Sequence, residues 1–138
     1  MIVLDTNVVS AAMAASPDPR IIAWLDGHPP ESLWITAISV FEIRYGIDTL
    51  VSGKRRRMLE QAFARAIVDD FQDRVLALDE SAATAAAAIA AARRRVGRPV
   101  DLRDTLIAGI ASSRRATIAT RNSRHFRDLD VPVIDPWT

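Results

Sequence analysis

Short apolar runs alternate with longer amphipathic stretches along the whole chain. Met1 to Leu4 is an apolar run rich in Ile and Val that stops at Asp5, and it reads as a strand buried on both faces. Val8 to Ala14 follows as a short helical segment, broken by Ser16-Pro17-Asp18-Pro19. Ile21, Ile22, Trp24 and Leu25 predict a second short helix, closed by Gly27 and Pro29-Pro30, with Trp24 in the core. Ser32 to Ile35 predicts the second strand, and Thr36 is placed to cap a long helix that runs to about Val51, ahead of Ser52-Gly53. Lys54 to about Phe71 carries Met58, Leu59, Ala62, Ala66 and Ile67 on one side and predicts another helix. Val75 to Leu78 reads as the third strand. Asp79 then caps an alanine-rich helix from Ser81 to Val96, stopped by Gly97 and Pro99. The run Ala85 to Ala92 is almost without side-chain bulk and can approach another surface closely, first the sheet and second a partner's groove. Asp101 begins a helix that runs to Ser113, with Asp104 in its first turn. Thr117 to Thr120 predicts the fourth strand, Arg124 to Leu129 a short turn or helix, and Val131 to Ile134 the last strand before Asp135-Pro136-Trp137.

This alternation predicts one three-layer α/β domain over residues 1–138, with a mainly parallel central sheet of four to five strands. A chain of 138 residues, 49% hydrophobic and 25% charged, buries a real core, so disorder is not expected. The absence of Cys excludes disulfides, thiolate catalysis and Cys-ligated zinc or iron–sulfur sites. No apolar run approaches the roughly 20 residues of a membrane span. Asp5 and Asn7 also interrupt the apolar N-terminus too early for a signal peptide, so a soluble, cytoplasmic protein is expected. The net charge of +1 selects no partner, but its distribution does. From Arg93 to Arg127 arginines recur while the only acids are Asp101 and Asp104, and Lys54 to Arg57 reads KRRR. Such runs are either solvated faces or a surface for a polyanion. Aromatic residues make up 6% of the chain and are not interleaved with the arginines; Trp34 and Trp137 read as packing residues, not as base-stacking platforms.

In an open parallel sheet, ligands sit outside the carboxyl ends of the strands, which gives Asp5 the best address for chemistry. Asn122 follows the fourth strand, Asp104 starts the helix before that strand, and Glu42 lies about two turns into the helix after the second. For Glu42 to join the others, its helix must pass beside the carboxyl edge. Each residue also has a plainer use. Asp5 can cap a helix, Asp101 and Asp104 stand three apart like a capping box, and Asn122 can be a turn residue. Glu42, between Phe41 and Ile43, is harder to dismiss, because a buried, unpaired carboxylate costs free energy. If these acids share a site they repel one another unless a divalent cation neutralises them. Oxygen-only ligands favour Mg²⁺ or Mn²⁺, and such an ion suits phosphodiester hydrolysis.

The motifs Leu4-Asp5-Thr6-Asn7, Val40-Phe41-Glu42-Ile43-Arg44-Tyr45-Gly46, Asp104-Thr105-Leu106-Ile107-Ala108 and Ala119-Thr120-Arg121-Asn122, in that order, resemble those of PIN-domain ribonucleases. More closely, with the closing Val133-Ile134-Asp135-Pro136-Trp137, the chain resembles the FitB-like VapC toxins of bacterial toxin–antitoxin pairs. The resemblance implies an Mg²⁺- or Mn²⁺-dependent endoribonuclease with Asp5, Glu42 and Asp104 as metal-binding positions and Asn122 as the fourth catalytic position. It also implies a homodimer and a small antitoxin with a DNA-binding segment. The fourth position is often Asp in that family; Asn122 removes a negative charge, so weaker binding of a second ion is expected. Thr6 and Thr120 are assigned a supporting role, and Arg121, Arg124, Lys54 and Arg55 are expected to hold RNA. Asp101 could substitute in part, although as a helix cap it would face backbone amides, and His125 reads as surface or a phosphate contact. Two rivals stand beside this reading. One is a non-catalytic PIN-like RNA-binding module. The other is a phosphoacceptor signalling domain using Asp79, opposed by the lone acid Asp5 and by Lys54 being the only lysine.

Overall fold

The computed structural model describes all residues from 1 to 138. Five strands, β1 (Ile2–Leu4), β2 (Leu33–Thr36), β3 (Val75–Leu76), β4 (Thr117–Ala119) and β5 (Val133–Ile134), form one sheet in the order β3-β2-β1-β4-β5. Every pairing is parallel, and β1 lies in the middle, with Val3 opposite Trp34 of β2 and Ile118 of β4. Six α-helices connect the strands: α1 (Thr6–Met13), α2 (Pro19–Asp26), α3 (Ala37–Asp48), α4 (Lys54–Arg65), α5 (Glu80–Arg95) and α6 (Leu102–Ser113). None is long and apolar enough to cross a membrane.

Alternation along the strands divides the core. Leu4, Leu33 and Ile35 pack with α1 to α4 on one face, while Val3, Leu76 and Ile118 pack with α5 and α6 on the other. Trp24 and Trp137 pack against the first core and Trp34 against the second, as expected for packing residues. The expected caps are in place: Thr36 Oγ1 accepts the Ser39 N–H at 3.1 Å and Asp79 Oδ1 accepts that of Ala82 at 2.9 Å.

Several boundaries differ from the sequence expectation for identifiable reasons. Helix α1 begins at Thr6, not Val8, because Asp5 itself is the cap. Helix α3 stops at Asp48, and β3 and β5 are each only two residues long. The helix expected from Lys54 to Phe71 is α-helical only to Arg65 and then widens into a π-helical turn, Ala66–Asp70. Eight α-helical residues would leave Phe71 about 80° round from Phe63. The wider turn takes up that excess, and both rings are buried. The alanine-rich α5 packs chiefly on α6, not on the sheet. A Cβ on Gly109 would lie 2.5 Å from the Ala86 Cβ, so the two helices touch through residues with almost no side chain.

Candidate active site at the carboxyl edge of the sheet

The chain runs outward from β1 through β2 to β3, then crosses to the other side of β1 for β4 and β5. The β1/β4 border is therefore the switch point of the sheet, where a crevice opens at the carboxyl ends. Asp5 stands there with only 3% of its surface exposed. Its Oδ1 accepts the Thr6 N–H at 2.8 Å, and its Oδ2 accepts the Thr120 hydroxyl at 2.7 Å and the Asn7 side-chain amide at 3.3 Å. Cap and site residue are thus one and the same. Burial pushes the Asp5 carboxyl up to about 6; its hydrogen bonds to Thr120 and Thr6 oppose this, and the charges of Asp104 and Glu42 add to it. Both other acids therefore act within its electrostatic field.

Glu42 reaches the edge because α3 starts where β2 ends and passes beside α1. The Thr6 hydroxyl donates to Glu42 Oε1 at 2.9 Å, and the buried Ser39 hydroxyl lies 2.8 Å from the Thr6 oxygen. Because the Thr6 proton is given to the carboxylate, Ser39 is the donor in that second bond. Glu42 Oε2 lies 3.6 Å from Arg103 Nη1, whose guanidinium is also held by Asp101 at 3.2 Å. The hydrogen bond and charge of Asp101, followed by the charges of Glu42 and Asp104, hold Arg103 above its ordinary value.

Asp104 is not satisfied by a backbone amide. Asp101 caps α6 through the Arg103 N–H at 2.9 Å, which frees Asp104 to meet His125 Nδ1 at 2.8 Å from its Oδ2. His125 lies in the short helical turn Ser123–His125 after β4 and is fixed from behind by the buried Arg93. Arg93 donates to the His125 carbonyl at 2.6 Å, to Thr105 Oγ1 at 3.0 Å and to both Asp128 oxygens at 2.8 and 2.9 Å. One guanidinium thus ties the start of α6 to the loop after β4. No three of the Asp, Glu and His side chains stand close enough, as placed, to hold a metal ion together. Each of the three acids is instead engaged by partners within the chain. As a donor set they are all oxygen and all acidic, which suits a hard divalent ion, and the Asp5 carboxyl is raised first by its burial and to a smaller extent by the charges of the other two.

Comparison with known proteins adds the lineage. The PIN domain family model matches residues 2–132. The chain belongs to the PIN-domain family. It is 36% identical to toxin FitB of Neisseria gonorrhoeae, over 99% of both chains. It is 34% identical to a VapC ribonuclease of Sinorhizobium fredii, over 99% of this chain and 98% of that one. Among solved structures, FitAcB of Neisseria gonorrhoeae matches with a TM-score of 0.91 at 36% identity, covering 99% of each chain. DNA-bound VapBC of Salmonella typhimurium matches at 0.77 and 29% identity, covering 98% and 97%.

Within this PIN domain the remaining expected residues are less uniformly placed. Asn122 is exposed and its side chain makes no hydrogen bond; its backbone N–H reaches Thr120 Oγ1 at 3.0 Å, so it supports the threonine that supports Asp5. The Arg121 guanidinium lies 5.0 Å over the Trp137 ring, and the Arg121 backbone N–H donates to Asn7 Oδ1 at 3.3 Å. Arg124, Lys54 and Arg55 are exposed. Asp79 follows the edge strand β3 and lies 3.7 Å from Arg114, away from the β1/β4 border. The basic C-terminal stretch is partly consumed inside the fold: Arg93 is buried, and Arg98 pairs with Asp128 and donates to the Arg124 carbonyl. Sequence reasoning missed Ser39, Arg103 and the role of Arg93, and read His125 as surface or a phosphate contact, not as the partner of Asp104. Only Arg103 carried a usable signal, as a basic residue next to Asp104.

Proposed function

We propose that this PIN domain is a metal-dependent endoribonuclease of the cytoplasm and the toxin of a toxin–antitoxin pair. The observation that carries the reading is Asp5. Its carboxylate is buried at the sheet's switch point and aimed by Thr120 and Asn7, the neighbouring Thr6 hydroxyl holds Glu42 beside it, and the charges of Asp104 and Glu42 both reach it, an all-oxygen acidic set that suits a divalent cation. Asp5, Glu42 and Asp104 would hold Mg²⁺ or Mn²⁺, which when bound supplies a Lewis acid to the phosphodiester and an acidified water.

The chain's own groups do the positioning. Thr120 and Asn7 aim Asp5, Thr6 and Ser39 aim Glu42, and His125 braces Asp104. Asn122 brings an amide oxygen to the same edge and no charge, so one ion is held more firmly than a second. Arg103 sets a guanidinium beside the acids where the anionic backbone must lie, and Arg121, Arg124, Lys54 and Arg55 hold RNA outside it. The chain works as a homodimer with a small antitoxin that carries a DNA-binding segment. Neighbours that are FitAB on a DNA fragment and VapBC bound to DNA support this partner.

The test is cleavage of a random-sequence RNA pool with Mn²⁺ by wild type, Asp5→Asn and Asp104→Asn, with folding checked by circular dichroism. Each variant should lose more than about 100-fold, beyond the cost of a lost outer hydrogen bond. Full activity in either variant would remove these roles, and Mn²⁺ binding without any cleavage by wild type would make the domain a binding module.

A further inference from the structure

A cleft of about 300 Å³ lies between α1, α3 and α4, and its lining includes Thr6 and Glu42 of the acidic site. Arg55 also lines it, and Met13, Ile47 and Leu59 contribute apolar wall. Gly46 also lines it, in the interior of α3. Glycine inside a helix is destabilising and needs a reason. At Gly109 the reason is packing, because a Cβ would lie 2.5 Å from Ala86. At Gly46 a Cβ would meet nothing within 4 Å. The missing side chain therefore leaves the cleft wall open at Gly46.

Of the run Lys54 to Arg57 only Arg56 is paired, to Glu60 at 2.9 Å and Asp48 at 3.6 Å, which leaves the Arg55 guanidinium available to an anion. The lining thus offers an apolar wall and one unpaired cation, and includes Glu42 of the acidic site. A larger cavity of about 580 Å³ is a poorer fit, since Asp26, Asp69 and Asp70 line it and none of the acid-site residues does.

We propose that the cleft receives the nucleotide adjoining the one that is cut, its base against the apolar wall beside Gly46 and its phosphate on Arg55. A base can enter only when unstacked, so the substrate is single-stranded there. This rests on the nuclease reading and adds to it a specificity pocket. Gly46 and Arg55 hold the substrate and touch no reacting atom.

The experiment uses the full chain and a fluorescein-labelled random RNA dodecamer. Binding is read by anisotropy with Ca²⁺ in place of Mn²⁺, and cleavage with Mn²⁺. Gly46→Leu and Arg55→Glu should each weaken binding about fivefold or more and raise KM more than they lower kcat. Arg55→Glu should also lower the salt dependence, by about 0.7 in log–log slope for one lost phosphate contact. Gly46→Leu should melt no lower than wild type, since leucine is the better helix former, which separates a filled cleft from a damaged fold. If wild type cleaves and both variants bind and cleave as it does, the cleft assignment is wrong and the nuclease reading stands. If Gly46→Leu leaves RNA binding intact but shifts the sedimentation of a dimer to that of a monomer, the cleft belongs to a second copy and the assignment is overturned. If wild type neither binds nor cleaves RNA, both readings fall.

Discussion

Replacing Asp5 by asparagine should stabilise the metal-free fold while abolishing its chemistry. The Asp5 carboxyl is raised from an ordinary 3.8 to about 6 in the folded chain, first by burial and then by its acidic neighbours. Taken up as a difference between folded and unfolded states, that shift costs about 3 kcal/mol at neutral pH. The folded state binds the proton more tightly than the unfolded one. The cost is therefore absent below about pH 4, grows as pH rises, and is complete above about pH 6. Asparagine keeps the shape of the residue. Its oxygen can accept the Thr6 N–H and its amide can donate to Thr120 Oγ1, but the Thr120 hydroxyl then loses its acceptor and the 3.3 Å bond from Asn7 is lost as well. Setting about 1 kcal/mol for each of these two bonds against the gain leaves a net stabilisation of about 1 kcal/mol, or about 3–4 °C in Tm. Thermal melts in EDTA at pH 4 and pH 7.5 measure it as a difference between the two proteins. Comparing them cancels the acids held low by arginines, such as Asp128 beside Arg93, which favour the fold as pH rises. The variant's advantage should appear at pH 7.5 and vanish at pH 4. Added Mn²⁺ should reverse the order by stabilising wild type alone. A variant less stable than wild type at pH 7.5 without metal would refute the reasoning, because the buried carboxylate would then be a net asset to the fold.

Three other outcomes follow from particular contacts. Arg93→Ala removes a buried guanidinium that serves Asp128, Thr105 and the His125 carbonyl, and should cost about 3 kcal/mol in denaturant unfolding; under about 1 kcal/mol would contradict its bracing role. Gly109→Ala forces a Cβ to within 2.5 Å of Ala86 and should cost about 1–3 kcal/mol by overpacking, with an unchanged melting curve as the contrary result. Arg103→Ala removes the cation 3.6 Å from Glu42 and should tighten Mn²⁺ binding about two- to fivefold in a calorimetric titration; weaker binding would mean that Arg103 helps to build the site and does not compete for it.

Much of the fold was legible because its signals are local. The apolar run ending at Asp5, the caps Thr36 and Asp79, and the Gly and Pro stops mark elements that pattern alone can find. Asp5 and Asp104 stood out because strand ends and first helical turns in a parallel sheet face one edge, and Glu42 because a carboxylate lies between Phe41 and Ile43; in the fold the charges of Glu42 and Asp104 both reach Asp5. What was hidden depends on which distant segments meet. Nothing around His125 announces that it lies 2.8 Å from Asp104, and Arg93 looked like part of a basic surface until Asp128 and Thr105 were beside it. The π-helical turn answers a need to bury Phe63 and Phe71 together, a tertiary demand that helical periodicity cannot display. Likewise, the alanines of α5 advertise a close approach but not its partner, which Gly109 of α6 turns out to be.

Mn²⁺ affinity tests the acidic site most directly and needs no knowledge of the RNA. Isothermal titration of wild type, Glu42→Gln and Asp79→Asn separates the cluster at the β1/β4 border from the acid beyond β3. Binding by wild type, weakened about tenfold or more by Glu42→Gln and unchanged by Asp79→Asn, is the predicted result. Loss of binding in Asp79→Asn with none in Glu42→Gln, or no binding by wild type at all, would contradict the site.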